Sequence, residues 1–65
     1  MQDRIDKLLL DRRDVEERFG ISQRYLEVAA SKGNGPDFVR IGRLVRYRVR
    51  DIEAWIESQI VKGRG

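Results

Sequence analysis

The sequence predicts a mainly α-helical domain with one small β-hairpin, in the order helix, helix, hairpin, helix. Three observations predict it. A basic, β-rich stretch over residues 38–50 is interrupted only by the pair Gly42-Arg43. Before it lie two short segments with apolar periodicity, each opened by a capping residue and closed by a glycine. After it comes an apolar stripe at helical spacing. The 65 residues make a single domain, 1–65, with 8–61 as its ordered core. A chain this short buries only about 60% of its unfolded surface, so its core is thin.

Residues 1–7 are polar and mixed in charge, and are expected to be loosely ordered. Leu8, Leu9 and Leu10 form an apolar entry that lies against the core. Asp11 is a good N-cap, with Asp14 three positions on as a capping-box partner. Leu10 and Val15 then stand at hydrophobic-staple spacing. The first helix should run from Arg12 to about Phe19, with Val15 and Phe19 inward, Glu16 and Glu17 outward, and Gly20 stopping it. Ile21 and Ser22 repeat the arrangement: Ser22 caps, and Ile21 staples onto Leu26. The second helix runs from Gln23 to about Lys32, puts Leu26, Ala29 and Ala30 on one face, and ends at Gly33. Ala29 and Ala30 either let another helix approach closely or leave that face poorly filled. The cluster Gly33-Asn34-Gly35-Pro36 is a turn.

The β-rich runs 38–41 and 44–49 flank Gly42-Arg43. Glycine first in a two-residue loop is what a type II′ hairpin turn needs. That turn pairs Ile41 with Leu44, Arg40 with Val45, Val39 with Arg46 and Phe38 with Tyr47. One face then carries Phe38, Arg40, Val45, Tyr47 and Val49; it is the more aromatic and is assigned to the core. The other carries Val39, Ile41, Leu44, Arg46 and Arg48. The stretch 38–50 holds five arginines and no acid, and so either discourages edge aggregation or grips a polyanion.

The last helix is expected to begin near Arg50 or Asp51. Ile52, Trp55, Ile56 and Ile60 make its apolar stripe, and Trp55 is expected to be the largest single contributor to the core, ~3 kcal/mol on truncation. Asp51 and Glu53 suit the positive end of that helix and Lys62 the negative end. The tail 62–65 is expected to fray and to add weak phosphate contacts.

Composition narrows the function. There is no cysteine and no histidine, which removes disulfides, thiolate metal sites, the commonest general base and the commonest zinc ligand. With no glycine-rich phosphate loop and no paired carboxylates in a plausible pocket, an enzyme is not expected, nor is a cofactor, a metal or a small-molecule substrate. No apolar run reaches membrane-span or signal-peptide length, so no membrane partner is expected either. Net charge is +3, with the arginines massed in the middle and the acids toward the two ends.

Two short helices joined through Gly20-Ile21-Ser22 form a helix-turn-helix pattern. With Leu9-Leu10 and Val15 before it, Gln23-Arg24 opening the second helix, then Phe38-Val39-Arg40-Ile41-Gly42-Arg43, Val45-Arg46-Tyr47 and Asp51-Ile52-Glu53-Ala54-Trp55-Ile56, the chain resembles the MerR-like winged helix-turn-helix of phage and plasmid excisionases and the AlpA-type regulators. The resemblance covers roughly residues 8 to 57 and looks most like a small actinobacteriophage excisionase. The chain departs from that pattern at Arg50, where serine often caps the last helix, and at Tyr25, Glu27 and Ala29 in the second helix.

The resemblance implies a sequence-selective double-stranded DNA-binding protein. It would bind cooperatively with other copies of itself, bend attachment-site DNA, and direct an integrase toward excision, in the cytoplasm of a bacterial host and associated with its nucleoid. The second helix would enter the major groove. Arg24 would grip a guanine edge or a phosphate, and Gln23 would read adenine, unless either is plain helix surface. Ser22 is first a cap. Glu27 accepts from cytosine or pairs with a neighbouring arginine, Tyr25 reaches a phosphate or packs, and Val28 faces away from the core. The wing tip Gly42-Arg43 would enter or border the minor groove, where a narrow groove favours arginine. Arg40, Arg46 and Arg48 would bind phosphates, unless one or two stack on Tyr47 or pair with Asp51 or Glu53. Two other readings stand beside this one: a small phage or plasmid transcriptional regulator with the same DNA contacts, and a module whose arginines bind an acidic protein.

Overall fold

The computed structural model describes residues 8–63. The expectations for residues 1–7 and for Arg64 and Gly65 lie outside the described residues. In chain order the elements are β1 (Leu9–Leu10), α1 (Arg12–Phe19), α2 (Gln23–Lys32), β2 (Val39–Ile41), β3 (Leu44–Arg48) and α3 (Val49–Ser58). The result is a small mixed α/β domain of three helices and a three-stranded antiparallel sheet in the order β1-β3-β2.

The first two helices start and stop where their caps dictate. The Asp11 carboxylate accepts from the Asp14 amide at 2.8 Å, and the Asp14 carboxylate accepts from the Asp11 amide at 3.1 Å, so both halves of the capping box close. At α2, Ser22 Oγ accepts from the Tyr25 amide at 3.0 Å. Both helices end in a left-handed glycine, Gly20 and Gly33.

The hairpin has the expected register: Ile41 opposite Leu44, Arg40 opposite Val45, Val39 opposite Arg46. Gly42 sits at φ +60° while Arg43 keeps a negative φ, the combination a type II′ turn requires and a type I′ turn does not. One residue pair further out, the Phe38 and Tyr47 rings pack in a tilted arrangement with centroids 5.9 Å apart. The aromatic face is the core face, as expected.

The core is five side chains deep in the interior: Leu10, Val15, Leu26, Tyr47 and Ile52, with Phe19, Ile21, Phe38, Val45 and Val49 packed around them. Of the residues at staple positions, Leu10, Val15 and Leu26 are buried in this cluster and Ile21 is partly buried against it.

Several expectations are corrected. The sheet has a third strand. Leu9 and Leu10 pair with Arg48 and Tyr47, so the apolar entry is a strand from Leu9 on, Leu8 is exposed instead of lying against the core, and β3 becomes the centre of the sheet. Strand β3 ends at Arg48 and not at Val49, which is already the first residue of α3. The helix begins earlier than expected because Arg48 is the N-cap position, and its side chain reaches forward to Asp51. The helix also ends sooner. It stops at Ser58, so Ile60 lies beyond it and is exposed, and Lys62 is too far along to meet the helix end. Of the predicted stripe only Ile52 is buried; Ile56 is exposed and Trp55 half-buried, so Trp55 is not the centre of the core. With Ile56 exposed, local hydrogen bonds hold the last turn, among them Ser58 Oγ donating to the Trp55 carbonyl at 2.6 Å.

The small residues of α2 receive a loop, not a helix. A Cβ placed on Gly35 would stand 2.7 Å from the Ala29 Cβ, so only glycine lets the turn press against a buried alanine. Beside that contact a cleft of about 270 Å³ remains between Ala29, Ala30, Gly33 and residues 35–38.

Candidate nucleic-acid interface

The N-terminal half of α2 and the hairpin tip face one open cleft of about 320 Å³. Gln23 and Glu27, one helical turn apart, form its α2 wall. Arg43, Leu44, Val45 and Arg46 form the hairpin wall, and Asp11, Arg12 and Arg13 at the start of α1 form the floor. Four arginines thus converge with two carboxylates. Asp11 is engaged in its capping box, which leaves Glu27 as the carboxylate without an ion pair among the described residues.

Local structure holds these groups in place. Gly42 turns the chain so that Arg43 stands at the extremity of the hairpin. Arg46 is drawn back along β3, its Nη1 donating to the Val45 carbonyl at 2.8 Å. Arg12 is tied to the sheet: its Nε donates to the hydroxyl of the buried Tyr47 at 3.2 Å. Arg13 pairs with Glu17 at 3.6 Å on the open surface of α1, a contact of small energetic weight. Glu16 also bridges the two helices, its carboxylate accepting from the Gln23 amide at 3.3 Å. That places a negative charge at the α2 N-terminus and occupies one amide that an anion would otherwise use.

The sequence-predicted residues divide into three groups. Gln23, Glu27, Arg43 and Arg46 meet in the cleft, with Gly42 shaping the tip. Ser22, Arg24, Tyr25 and Val28 do not line it. Ser22 is a cap, and Arg24 is exposed with no partner among the described residues. Tyr25 turns to the other flank of α2 and packs on Trp55 with ring centroids 6.2 Å apart; Val28 lines a shallow recess there with Ala29, Lys32 and Asn34. Trp55 is fixed in that position by its indole nitrogen, which donates to the Asn34 carbonyl at 3.3 Å.

Arg40 and Arg48 lie apart from the cleft. Arg40 stands over the Phe38 ring, 6.0 Å from its centroid, in a cation–π contact. Arg48 Nε donates to the Asp51 carboxylate at 2.6 Å. The hydrogen bond and charge of Asp51 raise the Arg48 pKa above its ordinary value, so this guanidinium stays protonated throughout the physiological range. Its place is the strand-to-helix junction, in the ion pair with Asp51 that the sequence reading held as an alternative.

Arg12 and Arg13 were not among the sequence-predicted site residues. A signal was present: they occupy the first turn of a helix, where the dipole disfavours cations. Basic residues placed against that preference point to a use outside the helix.

Among the described residues, no group of three or more histidine, cysteine, aspartate or glutamate side chains could hold a metal ion, and no helix is long and apolar enough to cross a membrane. No protein-family model matches the chain, and no curated protein matches it significantly.

Proposed function

We propose that this chain is a winged helix-turn-helix protein of the MerR-like type that binds double-stranded DNA, with α2 as the recognition helix and the β2–β3 hairpin as the wing. The observation that carries the reading is the shared cleft: α2 and the hairpin tip present Gln23, Glu27, Arg43 and Arg46 toward one space floored by Arg12 and Arg13. A helix and a basic ribbon set side by side suit a duplex, one for the major groove and one for the adjoining backbone and minor groove. Arg24, exposed and unpartnered among the described residues, supplies a second base-edge or phosphate contact from the outer face of α2.

The role best fitted to so small a reader is architectural. One such module distinguishes few base pairs, so several copies side by side on attachment-site DNA supply selectivity. The resulting bend helps an integrase assemble for excision, as in the excisionases that the sequence resembles.

The test is electrophoretic mobility shift with tiled duplexes from the DNA flanking the gene, with circularly permuted fragments to read bending. The reading expects one preferred fragment, cooperative filling as fragments lengthen, and a bend. It also expects that Glu27→Gln changes the preferred base at one position instead of raising affinity for all sequences equally, because a glutamate that accepts from cytosine selects while one that merely repels phosphate does not. Binding equal to that of random DNA would overturn it.

A further inference from the structure

The hairpin tip is basic, yet it also exposes two large apolar side chains. Ile41 and Leu44 face each other across the turn and are each 52% exposed. Cross-strand partners share a face, so the two side chains form one patch immediately behind Gly42-Arg43. On the same face the next pair is Val39 and Arg46, and no acidic residue occurs from Phe38 to Arg50. β-branched and leucine side chains at a hairpin end are unnecessary for the turn itself, which Gly42 sets. They also lie opposite the face that builds the core.

Resting on the DNA-binding reading, we infer that the Ile41–Leu44 pair is an apolar wedge that enters the minor groove behind Arg43 and produces the bend. The flanking arginines restrict the occupant to a polyanion. An apolar protein surface would leave Arg43 and Arg46 desolvated without counter-charge. Duplex DNA offers both parts: phosphates for the arginines, and sugar and base-step surface for the aliphatic pair. Size decides the consequence. Paired strands lie about 5 Å apart before side chains are added, and the minor groove is about 6 Å wide. A ribbon tip with its side chains therefore opens the groove as it enters, and aliphatic groups lodged at a base step unstack it and kink the duplex. Arg43 guides the tip by charge, and Ile41 with Leu44 holds the groove open.

The test uses the full chain, a duplex of its preferred site carrying 2-aminopurine at successive minor-groove steps, and a second copy with a fluorophore pair at its ends. Wild-type protein should brighten 2-aminopurine at one step and shorten the end-to-end distance. Ile41→Thr/Leu44→Ser should bind on the order of tenfold more weakly and lose both signals, while keeping the wild-type salt dependence because every arginine remains. Leu44→Met, which keeps an aliphatic tip, should retain both signals, and a thermal melt by circular dichroism checks that each variant is folded. Bending and brightening by the double variant equal to those of wild type would overturn the wedge. So would unchanged single-site bending with cooperativity lost on longer fragments, which would assign the patch to a second copy of the chain. Failure of the wild-type protein to bind any duplex would instead overturn the DNA-binding reading on which the wedge rests.

Discussion

Arg12 and Tyr47, 35 positions apart in the chain, meet where the first turn of α1 crosses the central strand: the Arg12 Nε donates to the Tyr47 hydroxyl at 3.2 Å. The tyrosine is wholly buried, so this is the partner that satisfies its hydroxyl. The same arginine lies on the floor of the cleft, so one contact serves both the core and the candidate interface. Tyr47→Phe should keep the fold and lower its stability by about 1 kcal/mol in urea denaturation. It should also free Arg12, changing duplex affinity by less than Arg43→Gln does. A Tyr47→Phe protein as stable as wild type would show that the hydrogen bond contributes nothing net.

The core and its margin should separate under mutation. Ile52 is fully buried among Leu10, Val15, Leu26 and Tyr47, so Ile52→Ala should cost about 3 kcal/mol. Trp55 is only half-buried and holds the α3 flank through Tyr25 and Asn34, so Trp55→Ala should cost less, about 1–2 kcal/mol, despite its larger side chain. Chemical denaturation of the two variants orders them directly, and the reverse order would contradict this account of the core.

Those two residues also show where the sequence was legible. Local chemistry identified what local chemistry decides. Asp11, Ser22, Gly20 and Gly33 set the ends of α1 and α2, and Gly42 set the hairpin register. Hence the sequence places Gln23, Arg24 and Glu27 on α2 and Arg40, Arg43 and Arg46 on the hairpin, but not which of them share the cleft. What depends on distant partners was not legible. A strand of two residues such as Leu9–Leu10 has no period to read, and only pairing with Arg48 and Tyr47 makes it a strand. The stripe from Ile52 to Ile60 is a sound helical pattern, but the small sheet offers a surface only to its first turn. For Arg48 the sequence left two roles open, phosphate contact or a pair with Asp51 or Glu53, and the junction with α3 selects Asp51 at 2.6 Å.

The turn between α2 and the hairpin makes a reciprocal prediction. Gly35→Ala drives a methyl against the Ala29 Cβ, so the turn or the helix must shift, at a cost of about 1–3 kcal/mol. Ala29→Gly added to that variant vacates the contested space. It should recover part of the loss after allowance for glycine's own cost of about 1 kcal/mol in a helix. If the pair of changes is simply additive, the close approach is not the cause.

The Arg48–Asp51 pair predicts a pattern across pH and partner. Its raised arginine pKa means that its contribution is fully present below the ordinary arginine range and lost only as pH rises through the shifted value. Stability from this pair should therefore not change between neutrality and about pH 10. A double-mutant cycle with Arg48→Gln and Asp51→Asn should show favourable coupling, reduced by added salt. Zero coupling would mean that the junction is held by backbone geometry alone.

The most direct measurement of the central claim, that the cleft between α2 and the hairpin is the DNA-binding face, is the salt dependence of duplex affinity by fluorescence anisotropy. Wild type, Arg43→Gln, Arg46→Gln and Arg48→Gln would be compared on one preferred duplex. Each arginine that neutralises a phosphate contributes about 0.9 to the slope of log affinity against log salt. The account predicts that Arg43→Gln and Arg46→Gln each reduce the slope by about that amount, and that Arg48→Gln, whose side chain belongs to Asp51, leaves it unchanged. Equal slopes for all four proteins, or a loss confined to Arg48→Gln, would contradict it.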